Sequence, residues 1–150
     1  MVHYDAWFRI FNNSVSSRLE KIDIHNYNYI VGPHIVNRNH WVSVIVDINS
    51  ALFQVIDPRG KSYKFSNTLF DTWVTYYDNR NDASIKKWFN NSENIKHPIQ
   101  KDDYNCGVFA CLFIQHFILE KNKIDFNCHK KVLKKYRKQI AQTLEKNSRK

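Results

Sequence analysis

The sequence predicts an α+β chain, and three stretches predict it. Two β-branched runs, residues 41–48 and 51–56, are separated only by Asn49-Ser50, the pattern of an antiparallel hairpin with a tight turn. Residues 107–119 are apolar nearly all round, which places that helix in the middle of the protein. Over residues 127–144, Val132, Leu133, Tyr136, Ile140 and Leu144 recur every three or four positions, one face of a terminal helix.

The other elements follow in chain order. Trp7, Phe8, Phe11 and Val15 fall at helix-compatible spacing, but Asn12, Asn13, Ser14, Ser16 and Ser17 weaken a helix there. Residues 27–31 read as a short strand ended by a Gly32-Pro33 turn. Pro58-Arg59-Gly60 ends the second hairpin strand. Residues 65–77 predict a helix and 83–89 a second, short one, with Trp73 and Trp88 as core candidates. Residues 94–99 predict a third strand cut short by Pro98.

At 150 residues the chain has the length of one domain, 1–150, with a short N-terminal part and a basic C-terminal helix over about 127–146. Apolar residues at 43% and charged residues at 25% are globular composition and exclude wholesale disorder. The longest apolar run, 108–114, has seven residues, where a membrane span takes about 20, so no membrane partner is expected. Asp5 and Arg9 near the start do not fit a signal peptide, and an intracellular setting, nucleus or cytoplasm, is expected. Cys106, Cys111 and Cys128 form neither a CxxC pair nor an even set, so neither a zinc site nor a disulfide framework is suggested.

The net charge of +9 is concentrated at one end. After residue 128 there are nine lysines and arginines against one acid, Glu145. Nucleic-acid-binding folds spread basic residues over a reading face, so the block points away from nucleic acid and toward a solvated or partner-seeking helix. Nuclear targeting, an acidic partner and solubility alone stay open for it.

Cys106 is not placed like a core cysteine. It follows the polar run 100–105 and opens the buried helix, where the positive end of the macrodipole favours a thiolate. First-turn N–H groups there are free to hold an oxyanion, and Gly107 leaves room for a substrate backbone. Cys111 lies within the helix and reads as packing. A nucleophilic cysteine needs a base and an orienting group. If Asn49-Ser50 is a two-residue turn, Ile48 pairs with Ala51, and that register makes His40 and Asp57 diagonal neighbours on one face, Cβ atoms about 7–8 Å apart. Gln100 offers an amide N–H for an oxyanion hole. His3, His25, His34, His97, His116 and His129 lack such context and read as surface or satisfied structural residues.

Asn39-His40-Trp41, then Val55-Ile56-Asp57-Pro58, then the segment from Gln100 to Cys106-Gly-Val-Phe109 resemble the SUMO/sentrin-specific, ubiquitin-like-protein-specific cysteine proteases, of which the adenoviral proteinase is a distant relative. The order His, Asp, Gln, Cys and the six-residue step from Gln to Cys match. Residues 31–33 and 136–144 are similar to the family's approach to its His and to its C-terminal helix, so the resemblance covers about residues 29–144.

The resemblance implies a papain-like fold, a short mixed or antiparallel sheet flanked by helices, with the nucleophile opening a buried central helix. It implies Cys106 as nucleophile, His40 as base, Asp57 as its orienter and Gln100 as oxyanion donor, with no metal or cofactor. Trp41 would roof a channel for a Gly-Gly tail, Gly107 and Asn105 would line the site, and the partner would be a SUMO-type modifier or its conjugates. For Trp41 a plain core position stays open. Family catalytic domains carry a further N-terminal subdomain; here 39 residues precede His40. Trp7 is the one candidate for the channel's second wall, and Asn105 stands where Asp is common. Competing readings are a same-fold protease for ubiquitin, another modifier or a polyprotein, an acetyltransferase with a similar His–acid–Cys set, and a non-catalytic module using its basic helix.

Overall fold

The computed structural model describes residues 4–12, 21–60, 65–80, 83–120 and 123–148. Four strands, β1 (Tyr29–Val36), β2 (His40–Asp47), β3 (Leu52–Ile56) and β4 (Phe89–Asn90), form one sheet in that order. β1, β2 and β3 are antiparallel neighbours and β4 runs parallel to β3. The helices are α1 (Tyr4–Phe11), α2 (Ser66–Asp78), α3 (Cys106–Leu119) and α4 (Lys130–Ser148). The chain is α+β, with a mixed sheet between two helical layers. Val15, Asn13, Ser14, Ser16, Ser17 and His3 lie outside the described residues.

The layers follow from alternation along β2. Val42, Val44 and Val46 enter a core with Trp7, Phe53, Trp73 and Tyr77, under α1 and α2. Ile45 enters a second core with Phe109, Leu112, Phe113 and Leu133, under α3 and α4. A strand covered on both faces needs a continuous apolar run, which is what residues 42–46 supply apart from Ser43. That serine is fully buried and donates to the Ala110 carbonyl at 2.8 Å, tying β2 to α3.

The β2–β3 register is the one a turn at Asn49-Ser50 implies, from Asp47↔Leu52 to Ser43↔Ile56. The ladder closes one pair early, and Ala51 sits at φ 52° with the Ser50 N–H donating to Asp47 Oδ1. Three other expectations are corrected. Gly32 and Pro33 are not a turn; both lie inside β1, opposite Val44 and Ser43. β1 is an edge strand, where a missing N–H is tolerated, and the turn comes at Asn37 and Arg38, φ 52° and 63°. Residues 83–88 are not helical. Trp88 packs edge-on against both Trp73 and Tyr77, ring centroids 5.2 and 5.0 Å away, and the Phe89 N–H donates to Ala51 O. Tertiary packing overrides local propensity there. Residues 95–99 are irregular after a 3-10 turn, Ser92–Asn94, whose Ser92 Oγ accepts the Val55 N–H at 2.9 Å.

His34 is not a surface or satisfied residue. It is buried on β1 beside the Phe11 ring, and its Nδ1 has no partner among the described residues. Burial alone pushes its pKa from 6.5 to about 4. The folded state therefore holds His34 neutral where the unfolded chain takes up a proton. Its contribution is intact above pH 6.5 and is lost as pH falls from 6.5 toward 4. Wild type should lose on the order of 2–3 kcal/mol more over that interval than His34→Gln. Urea titrations at pH 7, 5.5 and 4 measure it; equal losses in both proteins would refute it.

Candidate active site

His40 is the first residue of β2, and Asp57 follows the last residue of β3. Both are buried, and His40 Nε2 lies 2.6 Å from Asp57 Oδ1. The same oxygen accepts the Arg59 N–H at 2.8 Å, while the Asp57 carbonyl accepts the Gly60 N–H, with Gly60 at φ 68°. The turn thus fixes the carboxylate and the carboxylate fixes the imidazole. His40 Nδ1 is buried with no hydrogen-bond partner among the described residues. With Nε2–H donated to Asp57, Nδ1 carries the lone pair and can take a proton.

Cys106 is buried at the first position of α3, and the Phe109 N–H makes the first helical bond, to Asn105 O. Trp41, next to His40, lies over Gly107, next to Cys106. A Cβ built on Gly107 would stand 3.5 Å from Trp41 Cδ1. That contact, with the Ser43–Ala110 bond, draws the start of β2 and the start of α3 to the same end of the sheet. Trp41, Cys106 and Gly107 line one mainly apolar cavity of about 640 Å³, together with Ile140 and Leu144 of α4.

Gln100 is buried, and its N–H donates to Pro58 O at 2.8 Å, linking it to the Asp57 turn. Its Nε2 donates to Asp102 O at 2.5 Å and contacts Asp102 Oδ1 at 3.1 Å; its Oε1 is buried without a partner among the described residues. Asn105 does not face the cavity: it is buried with both ends of its amide engaged, Nδ2 on Asp102 Oδ2 and Oδ1 on Arg137 Nη2. Trp7 is elsewhere, a fully buried residue of α1 stacked on Phe11 in the other core, so it forms no wall beside Trp41.

Sequence reasoning missed two residues at this loop. Asp102 accepts the Tyr104 and Asn105 N–H groups on Oδ1, an Asx-type turn leading into the helix. Burial works against its charge, but bonds from the Asn105 side chain, the Tyr104 and Asn105 backbone and Gln100 outweigh it and hold the carboxyl below its ordinary range. Its place four residues before Cys106 was the available signal. Arg137 had none, standing among lysines. Burial pushes the Cys111 thiol up, and burial with nearby Asp125 does the same for Cys128, so neither is an activated thiol.

The model of the Ulp1 protease family, C-terminal catalytic domain, matches residues 3–150. The chain belongs to the Ulp1 protease family. The SUMO protease Ulp1, with its catalytic cysteine oxidised to a sulfenic acid, has a similar fold: TM-score 0.64 at 18% identity, over 98% of this chain and 63% of that one. The Ulp1 protease domain in complex with Smt3, the yeast ortholog of SUMO, matches at TM-score 0.57 and 15% identity, over 83% and 58%. The Chlamydia abortus effector ChlaDUB matches at 0.53 and 16%, over 86% and 63%. In sequence, R355 of Acanthamoeba polyphaga mimivirus, which carries the name of a thiol protease, is 31% identical over 77 residues, 51% of this Ulp1-family chain and 24% of that protein. The chain thus spans about a quarter of that relative and under two thirds of the Ulp1 chains.

Proposed function

We propose that this Ulp1-family chain is a cysteine protease that cleaves after the C-terminal Gly-Gly of a ubiquitin-like modifier of the SUMO type. The observation that carries the reading is the buried His40, with Nε2 held by Asp57 and Nδ1 without a partner among the described residues, next to a Trp41 that lies over Gly107, the residue after Cys106. Family membership, the name of the mimivirus relative and the Smt3-bound Ulp1 domain support it. In this mechanism His40 Nδ1 takes the Cys106 thiol proton, and Sγ attacks the glycine carbonyl. The oxyanion meets the Cys106 N–H and Gln100 Nε2, whose longer 3.1 Å contact to Asp102 Oδ1 is the one it displaces. His40 returns its proton to the leaving lysine or peptide amine, and water then hydrolyses the thioester. Trp41 over Gly107 admits a tail without side chains.

The test uses SUMO and ubiquitin carrying a cysteine-reactive group at the C-terminal glycine, read by intact mass. The expected result is one adduct with the SUMO probe on wild type and none on Cys106→Ala. Reaction with the ubiquitin probe instead would transfer the reading to that modifier. No adduct with either, from folded protein, would overturn it.

A further inference from the structure

We infer that Arg137 of the C-terminal helix is a positioning residue for Cys106, acting through Asn105 against Asp102. The inference rests on the reading of Cys106 as nucleophile. Arg137 belongs to the basic block of α4, where a solvated charge was the plain expectation. Its guanidinium reaches across to the loop before α3 instead. One Nη2 donates to Asn105 Oδ1 at 2.6 Å and to Tyr104 O at 3.0 Å, and the guanidinium lies 5.3 Å over the Tyr104 ring. Three contacts from one side chain are made to the two residues that precede the nucleophile.

The opposing hold comes from Asp102. Its Oδ2 accepts Asn105 Nδ2 at 2.7 Å and its Oδ1 accepts the Asn105 N–H at 2.9 Å. The Asn105 amide therefore bridges a carboxylate and a guanidinium, donor end to the acid and acceptor end to the base. Only an amide satisfies both. An Asp at 105 would face Arg137 well and Asp102 badly, since two carboxylates would then share one contact. This chain's Asn at 105 is thus matched to its Asp at 102. Gln100 Nε2 hangs on the same residue, on its carbonyl at 2.5 Å and its carboxylate at 3.1 Å, so Asp102 holds both the residue before the nucleophile and the amide of the proposed oxyanion hole. Asn105 also supplies the carbonyl that closes the first turn of α3. If Asn105 rotates, the Cys106 N–H and Sγ rotate with it.

The test is the rate of Cys106 alkylation by iodoacetamide at neutral pH, resolved by peptide mass from Cys111 and Cys128. It needs no modifier substrate, so it separates this inference from the choice of modifier. A folded wild type whose Cys106 does not react would fail the underlying reading; a reactive Cys106 indifferent to Arg137 would fail only the inference. Arg137→Met should slow Cys106 about tenfold, the worth of one charge-assisted hydrogen bond. Arg137→Lys, keeping one bond to Asn105 Oδ1, should stay within about threefold of wild type. Cys111 and Cys128 rates should not change, whereas general loosening of the fold would raise them. Asn105→Asp alone should slow Cys106, and Asn105→Asp with Asp102→Asn should restore it, because the acid and the amide then exchange places. That pair decides the matter even if Arg137→Met does not fold. An unchanged Cys106 rate in folded Arg137→Met, or no recovery in the exchanged pair, overturns the inference.

Discussion

Asp57→Ala should lower turnover about 10⁴-fold, and Asp57→Asn only about 30-fold, with the fold retained in both. The difference follows from which oxygen does the work. In a serine triad the acid-to-amide change costs about 10⁴ because the amide presents its nitrogen and selects the wrong tautomer. Here Asp57 Oδ1 accepts both the His40 Nε2–H and the Arg59 N–H. The Arg59 N–H is a fixed donor and demands an acceptor at that spot. An asparagine therefore keeps its oxygen there, the Nε2–H tautomer survives, and in the proposed mechanism His40 Nδ1 can still accept the thiol proton. What is lost is the charge that steadies the imidazolium, about 2 kcal/mol for a charge-assisted bond over a neutral one. Alanine removes the charge and the orientation together. Steady-state kcat on a modifier with a fluorogenic C-terminal amide measures both variants. If Asp57→Asn is as slow as Asp57→Ala, the amide has turned and the Arg59 argument is wrong.

The His40–Asp57 pair is legible in the amino-acid sequence because it is a local feature. A tight turn between two β-branched runs fixes a register, and register fixes which residues are diagonal neighbours. The α3 start is legible for a similar reason: a polar run gives way to an apolar one at Cys106. What cannot be read depends on distant atoms. Nothing in 83–88 announces that Trp88 packs edge-on against both Trp73 and Tyr77 and draws the chain straight. Nothing near Arg137 separates it from the neighbouring lysines, since its partners lie 32 and 33 residues earlier. The β1–β2 hairpin is hidden by a Gly-Pro pair that normally marks a turn, while the real turn places Arg38 at a positive φ that arginine rarely adopts.

That Gly-Pro pair carries the largest stability effect expected from a single methyl group. Gly32 is used for space, with no positive φ to explain it. A Cβ built there would stand 2.4 Å from Trp7 Cδ1 and Nε1. The ring cannot retreat: it is fully buried, stacked on Phe11 at 5.3 Å and set against Trp73 at 6.1 Å. Gly32→Ala must therefore either strain β1, whose pairing with β2 positions His40, or lift α1 off the sheet. Overpacking of this severity costs about 3 kcal/mol, or about 6–12 °C in Tm for a chain of this length. Replacing Trp7 with leucine removes the ring that clashes, at its own cost in burial. In that background the further penalty of Gly32→Ala should fall below about 1 kcal/mol, because the two residues are coupled by direct contact. A double-mutant cycle from urea unfolding gives the coupling directly. Additive effects would show that the alanine is accommodated without touching Trp7, and the close approach would then not be the reason for glycine in the middle of β1.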